Sequence, residues 1–144
     1  MTMRISMDTA KFRDQLQATV AELQRATRPA AQAGIQIIYE RARFNAPQSD
    51  KAHIFNIEGR KYGPYAPGNL RDSIYQVFSK NKSFKDVSTY QVSWNKDKAP
   101  YGFAYEFGNS QRGAQSFIAR SIVETRAEVR EAIKQRFIEE VSKS

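Results

Sequence analysis

A chain of 144 residues, of which 40% are hydrophobic and 12% aromatic, can bury a core of its own and predicts one domain over residues 1–144. The absence of cysteine excludes a disulfide framework and a thiolate metal site. No apolar run reaches the length of a signal peptide core or a membrane span, so we expect neither export by that route nor a membrane partner.

The positive charge is concentrated in the middle of the chain. Residues 41–99 hold eleven Lys or Arg against five Asp or Glu, whereas the segments before and after each carry a net charge of +1. A localised basic surface favours a polyanionic partner such as a nucleic acid backbone. A basic surface that only keeps the protein soluble explains the same charge, so both interpretations stay open.

The first 44 residues predict two helices. The first carries an apolar stripe with helical spacing behind Ser6 or Asp8 as N-cap, formed by Phe12, Leu16, Val20 and Leu23. Pro29 is expected to interrupt this helix and to open a second one that reaches about Phe44. The predicted inward residues of the second helix are Ala31, Ile35, Ile38 and Ala42.

The segment 48–69 is rich in glycine, proline and aromatic residues, and it predicts a long connection. A connection of this length inside a compact domain is usually functional or disordered. Its aromatic and aliphatic side chains argue against disorder, so we interpret it as an extended interaction loop that orders on assembly. A small hairpin that turns around Gly59 to Gly63 is the alternative.

Two strands and two basic turns follow. The strands are predicted over Ser73–Ser79 and Val87–Trp94. Because Tyr90, Val92 and Trp94 alternate on one face, a core role for Trp94 is favoured over base stacking. The lysines of the two turns are the predicted DNA-channel or polyanion-facing residues: Lys80, Lys82, Lys85, Lys96 and Lys98.

The last third of the chain predicts helices. Tyr101 to Phe107 is expected to form a short helix or helical turn that ends at Gly108, and residues 109–113 form a turn. One long helix is predicted from Gln115 to about Val141. Its apolar stripe consists of Ile118, Ile122, Val129, Ile133 and Phe137.

Catalytic and cofactor-binding patterns are missing from the sequence. The only histidine, His53, lies in the 48–69 segment with no nucleophile motif. The carboxylates are scattered beside basic residues or in turns, and no glycine-rich phosphate loop occurs. We therefore expect a protein that is not an enzyme and that has no catalytic, cofactor-binding or metal site. A nuclease or toxin is the remaining catalytic alternative.

Glu106 lies among aromatic residues and has two interpretations. It is either an exposed carboxylate near the start of the next helix, where negative charge is favourable, or one half of an ion pair within the domain or across a subunit boundary. The residues alone favour neither.

Three short motifs carry a resemblance to a known family. They are Gly68-Asn-Leu-Arg-Asp-Ser-Ile74, with Ala46-Pro47 before it, Tyr101-Gly-Phe-Ala-Tyr-Glu-Phe-Gly108, and Gln115-Ser-Phe-Ile118. Together they resemble the tail-completion or head–tail joining (minor tail, neck) proteins of long-tailed bacteriophages. Ser116 stands where the family commonly has proline, and Asn109 where it commonly has threonine. The 48–69 segment is also longer than the family's usual connection.

The resemblance implies a fold and a function. The fold would be α+β, a small antiparallel sheet packed against N-terminal helices, with a long C-terminal helix across it. The chain would be a virion protein, assembled in the host cytoplasm into a ring of six copies around the DNA channel. Its neighbours would be connector, tail terminator or tail tube proteins, with DNA backbone contacted without sequence specificity. The expected subunit or partner interface consists of Phe55, Tyr62, Tyr65, Tyr105, Glu106 and Phe107. The alternative is a sequence-independent nucleic-acid-binding protein.

Overall fold

The computed structural model describes residues 2–6, 8–110 and 113–143. These residues have the α+β fold that the resemblance implies, with helices around two small antiparallel sheets of two strands each. In chain order the elements are α1 Thr9–Asn45, β1 His53–Ile57, β2 Arg60–Tyr65, α2 Asn69–Ser73, β3 Ile74–Phe78, β4 Tyr90–Trp94, α3 Gly102–Phe107, α4 Phe117–Glu124 and α5 Arg126–Ser142. The turn predicted at 109–113 includes residues 111 and 112, which lie outside the described residues.

Helix α1 is continuous over 37 residues and contains Pro29. The predicted interruption at Pro29 is therefore wrong. Proline removes one hydrogen bond inside a helix, but Ala26 and Ala30 on either side are buried, and this packing holds the helix together. Asp8 is the N-cap, because its Oδ1 accepts a hydrogen bond of 3.0 Å from the backbone N–H of Ala10.

The apolar stripe on the first half of α1 does not face the core. Its four side chains keep between 39% and 61% of their surface exposed, and they are Phe12, Leu16, Val20 and Leu23. Helix α5 packs along the second half of α1, where Val129 and Ile133 lie over Gly34. The prediction that these residues lie on one helix is confirmed. No element in the described part of the chain covers their face of the helix.

The segment 48–69 contains a β-hairpin, which was the alternative prediction to a long interaction loop. Ile57 pairs with Arg60, so the connecting turn consists of Glu58 and Gly59 alone, N-terminal to the turn proposed from the sequence. Both residues have positive φ angles, 51° and 77°. This is the geometry of a two-residue type I′ turn, for which glycine at the second position is favourable.

The second hairpin, β3 with β4, packs on α1 and supplies part of the core. Its register runs from Ile74 opposite Trp94 to Phe78 opposite Tyr90. Trp94 is 6% exposed, and its ring centroid lies 5.4 Å from that of Phe117. The core interpretation of Trp94 is confirmed. The buried residues of this core cluster are Ala42, Ala46, Leu70, Ile74, Trp94, Ala99, Tyr101 and Phe117.

The predicted C-terminal helix is two helices. α4 ends at Glu124 and α5 begins at Arg126, with Thr125 between them at φ −107° and ψ 7°. The Thr125 hydroxyl donates a hydrogen bond of 2.6 Å to the carbonyl of Ser121, a local bond that often bends helices. α5 lies mainly along α1 and not across a sheet, which corrects the arrangement that the resemblance implies.

Candidate interaction surfaces

An aromatic cluster joins the first hairpin to the core. The rings of Phe55 and Tyr101 are stacked, with centroids 4.2 Å apart and planes within 4°. Tyr65 lies 4.9 Å and Tyr105 6.0 Å from Tyr101, centroid to centroid. Burial raises the pKa of the Tyr101 hydroxyl, which accepts a hydrogen bond from Asn69 Nδ2 at 3.0 Å. Three residues predicted for a partner interface therefore contact one another, directly or through Tyr101, within the chain.

The remaining aromatic residues of the predicted interface differ in exposure. Tyr62 is half-buried on β2. Phe107 is 65% exposed and packs against Phe103, which is itself 53% exposed, at a centroid distance of 5.0 Å. Lys96 Nζ lies 5.5 Å from the Phe103 ring centroid. Phe103 and Phe107 thus form a small exposed aromatic patch on α3.

Glu106 caps a helix. It is 6% exposed, and its carboxylate accepts hydrogen bonds from the backbone N–H groups of Phe117, Ile118 and Ala119 at 2.9, 3.0 and 3.0 Å. These are N–H groups that the first turn of α4 leaves unpaired. The position near a helix start is confirmed, and the expected exposure is wrong. None of the ion pairs between described residues includes Glu106.

A cleft of about 800 Å³ lies between β1 and α3. One wall is formed by consecutive residues of β1 and its turn, from His53 to Glu58, and the other by residues that include Phe103 and Ala104. No residue of Arg60–Tyr65 lines it, so it lies on the side of β1 that faces away from β2. No local pattern indicates this cleft, because its walls are about 50 residues apart in the chain.

The five predicted polyanion-facing lysines are all exposed, but they form two separate groups. Lys80, Lys82 and Lys85 lie at the tip of the β3–β4 hairpin, whereas Lys96 and Lys98 follow β4 at its opposite end. The five paired positions of the ladder place at least about 14 Å between the groups. The tip contacts α1, where Gln24 Nε2 donates to Asp86 Oδ1 at 2.9 Å. Whether these lysines face DNA stays a prediction.

Other charged residues form ion pairs on the surface. Asp72 lies 3.0 Å from Arg71 and 3.5 Å from Arg43, and the hydrogen bond from Arg71 lowers the pKa of the Asp72 carboxyl. Arg41 donates to Glu124 and so joins α1 to α4. This link was not predicted, because two charged residues so far apart in sequence give no sign of contact.

The described residues contain neither a metal-binding cluster nor a membrane-spanning helix. No group of three or more His, Asp or Glu side chains within residues 2–6, 8–110 and 113–143 is arranged to hold a metal ion. His53 is exposed, with Nδ1 3.2 Å from the carbonyl oxygen of Ala52. Among the helices of the described chain, none is both long and apolar enough to cross a membrane.

Comparisons with known proteins returned no relative. No protein-family model, no curated protein and no solved structure matches the chain.

Proposed function

We propose that this chain is a structural virion protein of a tailed bacteriophage, acting without catalysis in head–tail joining or tail completion. In this role it forms a ring, of six copies by the family resemblance, around the DNA channel in the virion neck. Its other contacts are with connector, tail terminator or tail tube proteins.

The observation that carries the proposal is the bonding between two motifs of the resemblance. Glu106, in the Tyr101–Gly108 motif, binds three consecutive backbone N–H groups that begin at Phe117, in the Gln115–Ile118 motif. Ser116 Oγ also donates to the carbonyl of Glu106 at 2.7 Å. The Glu-Phe-Gly turn and the short Gln-Ser-Phe-Ile segment therefore work as one structural unit. This gives a physical reason for the two motifs to occur together.

The surface chemistry supports an assembly role. Large apolar side chains are exposed on the first half of α1 and on α3, and apolar surface of this kind often marks protein contacts. The basic hairpin tip adds a field that grows when copies are repeated around a ring.

Electron microscopy of particles from a producing strain with this gene interrupted tests the proposal. We expect full heads separated from finished tails, or tails of wrong length or termination. Normal infectious particles would contradict a structural role in the virion.

A sequence-independent nucleic-acid-binding protein is the second candidate, favoured by the five exposed lysines. It predicts that the isolated chain binds DNA with an affinity that falls steeply as salt rises. Reversing the charge of Lys80, Lys82 and Lys85 separates the roles. A loss of DNA retention or infectivity is expected if the tip faces DNA, and unchanged assembly, infectivity and DNA retention would remove the DNA-facing assignment.

A further inference from the structure

Strand β1 has a free edge. Among the described residues it pairs only with β2. Because Ile57 and Arg60 close a two-residue turn, they form a hydrogen-bonded pair, and Phe55 with Tyr62 forms the next one. Asn56, which lies between these two pairs, therefore directs its backbone N–H and C=O groups away from β2. Ile54 is the next alternate residue along the strand and lies at the register shift between His53 and Phe55.

This edge opens into the cleft between β1 and α3. Phe55 and Ile57 are half-buried on the inner face of the strand, and Phe103 and Ala104 line the opposite wall. Proteins usually cover, shorten or charge an exposed strand edge, because it is a template for pairing with another strand. Here the edge borders a space of about 800 Å³ that is lined by both polar and apolar residues, with room for one more extended segment.

The N-terminal segment has the sequence pattern of a β-strand, but its described residues are not part of a sheet. From Met1 to Asp8 the sequence alternates apolar and polar residues, which is the period of a half-buried strand. Residues 2–6 have no secondary structure, and Met3 and Ile5 are 79% and 91% exposed. Their spacing of two matches that of Phe55 and Ile57, so one face of a third strand would continue the inner face of β1.

The segment does not reach the cleft of its own chain. α1, with 37 residues, is about 55 Å long, and Ala42 and Ala46 at its C-terminal end share the core cluster with Tyr101, next to the cleft. Residues 2–8 span at most about 25 Å when fully extended. An occupant with this sequence must therefore come from another copy.

We propose that residues 2–6 of one copy add as a third strand to the free edge of β1 in a second copy. The inference rests on the self-association in the proposed function and names the surfaces that make it. Because the two surfaces differ, the contact is head-to-tail, and repeating it closes a ring when the rotation between copies allows. Charge agrees with this pairing, since Glu58 is the only carboxylate among the described residues that line the cleft, and the segment carries Arg4.

A peptide with the sequence of residues 1–8, titrated to millimolar concentration into the full chain, tests the inference by NMR. We expect saturable shifts at the backbone amides of Ile54 and Asn56. Asn56→Pro removes an N–H that points away from β2, a substitution that edge strands tolerate, and should weaken binding at least about tenfold. Asn56→Ala is the matched control and should bind normally.

A second peptide controls for composition, with both Met3 and Ile5 replaced by serine, and it should not bind. Absence of shifts at millimolar peptide, shifts confined to the exposed stripe of α1, or equal binding by Asn56→Pro would each overturn the inference.

Cysteine cross-linking identifies the donor as a second copy. In the proposed strand Ser6 shares the outer face with Asn56, because Met3 and Ile5 occupy the inner face. The chain has no cysteine, so Ser6→Cys and Asn56→Cys prepared separately and then mixed form a disulfide only between copies. Val123→Cys, at a site 65% exposed on α4, replaces Asn56→Cys as the control for random collision. A neck defect in the interrupted strain, together with no peptide binding, would keep the proposed function and remove this contact.

Discussion

The two halves of helix α1 differ in how far other elements pack against them. From Ala26 onward the buried residues are small, namely Ala26, Ala30, Gly34 and Ala42, and α5 and the β3–β4 hairpin pack on this part of the helix. In the first half the apolar residues are large and exposed. The part of α1 that is packed against other elements ends where Gln24 contacts Asp86 and where Arg25 lies near Glu140 of α5. An apolar stripe thus predicts a helix face, whereas burial depends on whether another element extends far enough to cover it.

The largest expected effect compares the same substitution in the two regions. Phe117 is 0% exposed and Phe12 is 61% exposed. Phe117→Ala should lower the free energy of unfolding by about 3–5 kcal/mol, since it leaves a cavity, whereas Phe12→Ala should change it by less than about 0.5 kcal/mol. Urea unfolding of both variants at low protein concentration measures the difference. A large cost at Phe12 that grows with protein concentration would mean that the first half of α1 is buried against another copy.

A second pair of variants tests close packing under Trp94. A Cβ on Gly102 would lie 2.8 Å from Trp94 Cδ1, whereas a Cβ on Gly113 would have nothing within 4 Å. Because the indole is rigid and buried, Gly102→Ala should destabilise the fold by about 1–3 kcal/mol. Gly113→Ala is the control and should be neutral in thermal unfolding. Equal stability of the two variants would contradict the packing described for the core.

The third prediction concerns the free end of α1. Asp8→Ala removes the cap bond to Ala10, at a local cost of about 1 kcal/mol. Because no other element of the described chain packs on the first turns of α1, the loss should appear as faster amide hydrogen exchange there, with the global unfolding midpoint unchanged. Asp14→Ala, which leaves the cap intact, is the control. A shift of the global midpoint would show that the first half unfolds together with the core.

The smallest effect is expected from the exposed ion pair between Arg41 and Glu124. The hydrogen bond from Arg41 lowers the pKa of the Glu124 carboxyl, so the pair stabilises the fold above the carboxyl's unfolded pKa. This stabilisation is lost as pH falls through the folded pKa. Glu124→Gln should therefore flatten the acid limb of the stability–pH curve, measured as the urea midpoint. The same flattening in the wild type at high salt is the matched control, and an unaltered acid limb in Glu124→Gln would contradict the assignment.

Local signals in the sequence predicted much of the fold. The alternation of Tyr90 and Trp94 located β4 and the core face, and Gly108 ended α3 as expected. These features depend on backbone geometry and on neighbours close in sequence, which a single sequence contains.

The errors arose where contacts distant in sequence decide the outcome. Pro29 did not end α1, because packing around Ala30 offsets the lost hydrogen bond. Thr125 ended α4 without glycine or proline, and the sequence has no other mark at that point. Glu106 is buried because the start of α4 packs against it. No pattern in the local sequence predicts this contact. The cleft beside β1 was not predicted for the same reason, because its two walls are distant in sequence.

The start of helix α4 is fixed by hydrogen bonds to residues outside the helix. Gln115 N–H donates to the Tyr105 carbonyl at 2.7 Å, and the Glu106 carboxylate holds the first turn. The chain from Gly108 to Gln115 is thus fastened at both ends, and Gly113 and Ala114 within it are exposed. Extra residues in a loop whose ends are already fixed add little entropic cost. A peptide tag inserted between Gly113 and Ala114 would carry a gold or fluorescent label on a folded chain, so that each copy can be located within a finished particle.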